Sequence, residues 1–201
     1  MPKQFGEGLR KFRPESFPRF REHYRRLAAD GQQPSTLFLG CADSRVVPDL
    51  LTGALPGDLF VLRNVGNLVP PFEPNQGFHG TSAGIEFATL TLEVKDIIVC
   101  GHSHCGAIKA LFSPLSKEAP NMARWLELVR PAAVDLELTE PNLRRTEMRS
   151  VALQLERLLS FPSVRERVER GALCLHGWYY VIEESQVLDL DMDSGELRPL
   201  V

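Results

Sequence analysis

The 201-residue chain has no apolar run near the roughly 20 residues that a bilayer-spanning helix needs. Its first thirty residues are charged throughout, unlike a secretory leader. It lacks an excess of either charge: 23 basic against 26 acidic residues leave a net charge of −3, which argues against a nucleic-acid surface or a polybasic membrane patch. It also lacks an internal repeat, a low-complexity tract and a convincing linker. These absences point to one globular domain in the cytoplasm, with no nucleic-acid partner and no membrane.

Cysteine is scarce too. The four thiols, at positions 41, 100, 105 and 174, are too few and too uneven for a disulfide framework, and no Cys-x-x-Cys pair is present. Cys100 and Cys174 lie in apolar, strand-like stretches and are expected to be small buried hydrophobes. Cys41 and Cys105 sit instead in polar motifs, Gly40-Cys41-Ala42-Asp43-Ser44-Arg45 and Gly101-His102-Ser103-His104-Cys105-Gly106.

The hydrophobic pattern predicts alternating strands and helices. An amphipathic helix carrying Phe17, Phe20, Tyr24 and Leu27 ends at Gly31, and its basic residues read as a solvated face rather than an RNA-binding arm. Buried strands are expected at Thr36–Cys41, Asp58–Asn64, Asp96–Cys100 and Ala172–Ile182, with a fifth at Val187–Met192 bounded by Asp193-Ser194-Gly195. Helices are expected after Thr81 or Ser82 to about Val94, from the His102–Gly106 stretch that follows a turn at Gly101 to about Phe112, over 120–161 with breaks near Pro131 and Pro141, and over 162–171. The short connection 183–186 makes the last strand antiparallel. The expectation is an α/β fold: a mainly parallel four-stranded sheet with an antiparallel fifth edge strand, helices on both faces, and an N-terminal helical arm over 1–33 of a single domain 1–201. If strands one and three are neighbours where the strand order reverses, their C-terminal ends bring Cys41 and Asp43 to His102 and Cys105.

Two thiols and an imidazole are ligands that zinc prefers, and they leave a tetrahedral ion one position short. Asp43 or water fills the gap, and Arg45 can hold Asp43 away from the metal through two parallel hydrogen bonds. Metal-bound water loses a proton near neutral pH, so hydroxide and carboxylate compete for one position: raising pH favours hydroxide, lowering it favours Asp43. His102 and Cys105, three apart, are expected on one side of a helix start. A structural zinc site, a thiol hydrolase built on Cys105, and a site with no metal remain as alternatives at this point.

Taken together, Cys41-Ala42-Asp43-Ser44-Arg45, Arg63-Asn64-Val65-Gly66-Asn67, Gly80-Thr81 with Gly84-Ile85-Glu86, Gly101-His102-Ser103-His104-Cys105-Gly106 and His176-Gly177-Trp178 resemble the β-class carbonic anhydrases in order along the chain. The resemblance implies Zn2+ on Cys41, His102 and Cys105, with Asp43 as conditional fourth ligand and the Asp43–Arg45 dyad as catalytic machinery. It implies reversible hydration of carbon dioxide to bicarbonate and a proton by zinc-bound hydroxide. Gln32, Phe60, Val65 and Phe87 match substrate-pocket positions. Self-association as a dimer or dimer of dimers is implied, with the arm packing on a partner subunit. Phe38 stands where one branch of the family has a tryptophan that helps close the site, although Arg63 and Tyr180 match that branch; the open-site branch is expected. The 183–186 turn lacks an expected glycine. His104 reads as a rim residue rather than a proton shuttle, and Trp178 and Tyr179 as packing. Carbon disulfide or carbonyl sulfide hydrolysis on the same scaffold, and a catalytically silent zinc-binding assembly subunit, are the rival functions.

Overall fold

Strand β1, Thr36–Cys41, is apolar along its length because both of its sheet faces are covered. In this computed structural model, which describes residues 3–74, 79–114, 117–135, 137–191 and 194–200, it lies between β2 (Leu59–Asn64) and β3 (Asp96–His102), parallel to both. β4 (Cys174–Val181) continues the parallel order, and β5 (Gln186–Leu190) and β6 (Leu197–Pro199) add antiparallel edges, giving the order β2-β1-β3-β4-β5-β6. The chain runs from β1 to one neighbour and then crosses to the other, so the order reverses between β1 and β3, the condition on which the convergence of the two motifs depends.

Period-two alternation decides which side chain goes to which face. Leu37 and Leu39 of β1 and Ile97 and Val99 of β3 point to one core, where α4 (Gly80–Glu86), α7 (Glu140–Leu158) and α8 (Pro162–Glu169) contribute Ile85, Val151, Leu155 and Val164. Phe38, Ile98 and Cys100 point the other way, packing with Leu51 of α3 (Pro48–Thr52), Trp178 and Tyr180. A third cluster joins Cys41, Leu68 and Cys105 to α5 (Gly106–Lys109), α6 (Pro120–Leu126) and Leu143 of α7. Thr139 caps α7 by accepting the Asn142 N–H, and Pro141 occupies its first turn, where a missing donor costs nothing.

The helix α7 lies directly on the sheet because β3 and β4 carry glycines beneath it. A Cβ on Gly101 would stand 2.6 Å from Val151 Cγ2, and one on Gly177 would stand 2.8 Å from Leu155 Cδ1. No side chain fits at either contact.

Residues Met1–Gln33 and Pro34–Val201 are separate compact units. The first holds helices α1 (Lys3–Lys11) and α2 (Phe17–Asp30), joined by a wide π turn at Phe12–Ser16. Gly31 ends α2 at φ 80°, as its position predicts. Phe12, Phe17 and Tyr24 form an aromatic ladder with centroid spacings of 6.1 and 5.6 Å.

Several expectations need correction. The sheet has a sixth strand, too short and proline-ended to show a period in sequence. The helix expected from Thr81 or Ser82 to Val94 begins at Gly80 and loosens into a π turn over Phe87–Thr91. Cys174 is exposed at the mouth of β4, unlike buried Cys100. His102 ends a strand rather than opening a helix, which starts only at Gly106. The 183–186 turn does need a left-handed residue, and Ser185 supplies it at φ 53°. The expected ends of the fifth strand at Met192 and Asp193 lie outside the described residues.

Candidate metal centre

Parallel strands deliver their C-terminal residues to one edge of the sheet. Cys41 is the last residue of β1 and His102 the last of β3, so both reach the switch point. Cys105 joins them by a tight turn: His104 adopts φ 55°, reversing the chain so that Cys105 returns toward His102 and then begins α5. One ligand atom from each of Cys41, His102 and Cys105 lies within 4.8 Å of the others, and all three residues are buried. Among the described residues this is the one cluster of its kind.

The donor set fits a soft divalent cation. His102 Nδ1 is engaged with the Ser103 carbonyl at 2.8 Å, which leaves Nε2 to face the thiols, buried and without a hydrogen-bond partner. A buried imidazole nitrogen facing two thiols is a donor set suited to such an ion. The two thiols are hydrogen-bonded to one another. Hydrogen bonding from Cys105 holds the Cys41 thiol down at about 4 against the opposing effect of burial. The backbone N–H groups of Asp43 and Gly66, each 3.4 Å from Cys41 Sγ, favour the same thiolate. Cys105, as the proton holder, is raised by its bond to Cys41 and by burial. Burial works to lower His102, but the adjacent Cys41 thiolate outweighs it and raises it.

Asp43 stands beside the triad and is turned to Arg45. Oδ1 accepts from Arg45 Nε at 2.9 Å and from the Arg45 backbone N–H at 3.0 Å, while Oδ2 accepts from Nη2 at 2.8 Å. Nη2 also donates to the His104 carbonyl at 3.0 Å, tying the two motif loops together. The Arg45 hydrogen bonds hold the Asp43 carboxyl well below the usual carboxylate range. Asp43 Oδ2 is 3.9 Å from His102 Nε2, so this oxygen faces the triad while Oδ1 is locked. After Cys41 the chain turns, with Val46 N–H donating to the Asp43 carbonyl, rather than running on extended.

The remaining expected site residues are distributed unevenly. Val65 borders the site, since its neighbour Gly66 touches Cys41 Sγ and its own carbonyl accepts from Trp125 Nε1 at 2.7 Å. Phe60 and Phe87 pack together at 5.7 Å between centroids. Strand register pairs Phe60 with Leu37, four residues before Cys41 and so roughly 13 Å down the sheet from it. Gln32 belongs to the N-terminal unit. Trp178 packs edge-on against Phe38, and His104 sits at the rim, half-exposed, 3.3 Å from Glu183.

Three sets of supporting contacts were not anticipated. Arg63 Nε and Nη2 donate to the carbonyls of Cys41 and Asp43, clamping the first ligand loop. Ser103 Oγ donates to Glu183 Oε2 at 2.6 Å and accepts the Ile182 N–H, fixing the second loop to the end of β4. Glu147 of α7 is buried against the same loop, where burial raises its carboxyl despite bonds from Tyr179 and Cys105. Its sequence signal was available: Leu143, Glu147, Val151 and Leu155 form one i+4 ladder, so a carboxylate interrupts an apolar stripe.

The family model described as Carbonic anhydrase matches residues 36–187. A carbonic anhydrase of Synechocystis is 42% identical over 194 residues, spanning 92% of this chain and 69% of that protein. One from Pseudomonas aeruginosa is 40% identical over 191 residues, spanning 92% and 86%. Among solved structures, the β-carbonic anhydrase CcaA superposes with a TM-score of 0.91 at 38% identity, covering 99% of this chain and 92% of that one. A tetrameric β-carbonic anhydrase from Sordaria macrospora superposes at 0.79 with 28% identity, covering 93% and 96%.

Proposed function

The chain belongs to the β-class carbonic anhydrases, zinc lyases that hydrate carbon dioxide, and from that premise we propose that Cys41, His102 and Cys105 hold the zinc ion and that Asp43 and Arg45 are the catalytic dyad. The observation that carries this reading is the convergence of two thiols and an unpartnered imidazole nitrogen beside a carboxylate that is already engaged elsewhere. Bound zinc supplies a Lewis acid that activates water near neutral pH.

The chain's own residues do the orienting. Asp43 stays ionised because Arg45 holds it, and Oδ2, the oxygen toward His102, accepts and aims the hydrogen of the attacking nucleophile. Arg45 spans Asp43 and His104, so one guanidinium sets the carboxylate's orientation relative to the loop carrying Cys105. If Arg45 releases it, the same Oδ2 becomes the conditional fourth ligand. A structural zinc site or a silent assembly subunit has no use for this pair.

Gln32, Phe60, Val65 and Phe87 are proposed to receive the small apolar substrate. Phe60 lies too far down β2 to line its own chain's triad, while Phe87 and Val65 are exposed. Both facts support a second copy of the chain packing on the β2 edge, where Val61, Phe87 and Leu90 are exposed, so that Phe60 and Phe87 contribute to a site at the interface. The tetrameric Sordaria relative supports self-association as a dimer or dimer of dimers. The 1–33 unit, with Phe5, Leu9 and Phe12 exposed, is proposed as an arm of a single functional domain that packs on the partner. Thiol ligands that must stay reduced support a cytoplasmic location; no described helix is long and apolar enough to cross a membrane. Stopped-flow assay of zinc-loaded protein with carbon dioxide, carbonyl sulfide and carbon disulfide side by side tests the substrate: carbon dioxide should be turned over fastest, and a preference for either sulfur gas contradicts the reading.

A further inference from the structure

Cys105 is delivered by a turn rather than by a strand, and turns do not hold a ligand in place unaided. Cys41 is secured by β1 and the Arg63 clamp, and His102 by β3 and its own Nδ1 contact. The segment beyond His102 is fixed first at Ser103, whose N–H donates to the Tyr180 carbonyl at 2.9 Å. Next comes His104 in the left-handed region, which residues with a side chain adopt uncommonly. Something must hold the far side of that turn.

The Cys105 N–H donates to Glu147 Oε1 at 2.8 Å, and Tyr179 OH donates to Glu147 Oε2 at 2.7 Å. Glu147 is 3% exposed and Tyr179 fully buried. The two bonds fix both carboxylate oxygens, and the close seating of α7 on Gly101 and Gly177 fixes the height of Glu147 above the sheet. We propose that Glu147 is a positioning residue for the zinc ligand Cys105, acting through the Cys105 backbone N–H, with Tyr179 setting the carboxylate's rotation. The inference rests on the zinc reading above. Neither residue touches the metal position. Their effect is to keep the turn at His104 closed so that Cys105 Sγ meets the other two donors without reorganising.

The test is zinc affinity measured by chelator competition on full-length Glu147→Ala, Glu147→Gln and Tyr179→Phe, with thermal unfolding of zinc-free and zinc-loaded protein. Outer groups that orient a metal ligand typically contribute 10–100-fold in affinity, so Glu147→Ala should bind zinc weaker by about that factor and show a smaller zinc-induced rise in stability. Glutamine can still accept the Cys105 N–H and donate to the Tyr179 oxygen, so Glu147→Gln should stay within about threefold of the parent. Tyr179→Phe should fall between them. Cobalt-loaded Glu147→Ala should show altered thiolate-to-metal absorption.

Affinity unchanged in Glu147→Ala, with both metal states destabilised equally, would make Glu147 a packing residue and overturn the proposal. So would a glutamine variant as weak as alanine, which would assign the effect to charge rather than to hydrogen-bond geometry. Should Glu147→Ala not fold, unchanged affinity in Tyr179→Phe is the overturning result. A parent protein that binds no zinc would overturn the zinc reading itself, a result distinct from any of these.

Discussion

Truncating Arg45 to alanine removes both guanidinium bonds to Asp43 and the bond to the His104 carbonyl, but leaves the 3.0 Å bond from the residue-45 backbone N–H to Asp43 Oδ1. None of these groups belongs to the buried donor triad. Charge-assisted hydrogen bonds contribute about 1.5–3 kcal/mol each when shielded. The Arg45 side chain is 45% exposed, so solvent screening reduces the pair of bonds by roughly half, to about 2 kcal/mol in total. That corresponds to about a 30-fold loss in the population of correctly oriented Asp43. Arg45→Ala should therefore retain stoichiometric zinc while kcat/KM for carbon dioxide hydration falls by about 30-fold or more. Arg45→Lys should recover little, because an ammonium cannot make the two parallel bonds. Zinc assay by atomic absorption together with stopped-flow hydration separates the two effects. Parent-like kcat/KM in zinc-loaded Arg45→Ala would refute the dyad, and loss of zinc would show that Arg45 assembles the site instead.

Replacing Cys105 or Cys41 by serine should abolish zinc retention on gel filtration, since each supplies one of three donors; retained zinc would point to a different ligand set. Without zinc the Cys41 thiol is lowered by its hydrogen bond from Cys105, while Cys105 is raised by that bond and by burial and so keeps its proton near neutrality. Zinc binding must then release at least the Cys105 proton, so apparent affinity should rise by about tenfold per pH unit near neutrality, measurable by calorimetry in buffers of different ionisation heat. Arg167 is 5% exposed and donates to the carbonyls of Thr89, Glu93, Val94 and Ala172. Arg167→Ala should cost about 2–4 kcal/mol in chemical denaturation without changing zinc content. Gly101→Ala drives a methyl into Val151 and should destabilise by about 1–3 kcal/mol while also weakening zinc binding, because α7 carries Glu147.

Regular elements were legible because their signals are local. The four parallel strands and Cys41 at the end of β1 follow from apolar runs bounded by turn residues, whereas β3 runs two residues beyond the expected Cys100 to His102. What eluded sequence reasoning depends on backbone geometry that no period encodes. His102 and Cys105 meet through the left-handed turn at His104 rather than along a helix; histidine is enriched in that region, but too weakly for residue type alone to announce φ 55°. Cys174 looked buried because apolar neighbours surround it in sequence, yet it is the first residue of β4 and is exposed at that strand's N-terminal end. β6 has three residues and no alternation to detect. Glu147 was visible as an interruption in the apolar ladder of α7, but its partner, a backbone N–H 42 residues away, is set by tertiary packing.

The most direct measurement is stopped-flow carbon dioxide hydration by protein carrying stoichiometric zinc, set beside its Cys105→Ser variant across about pH 6–9. Hydration that follows zinc content and disappears in the variant is the predicted result. A fully zinc-loaded protein with no hydration at any pH in that range would contradict the central claim.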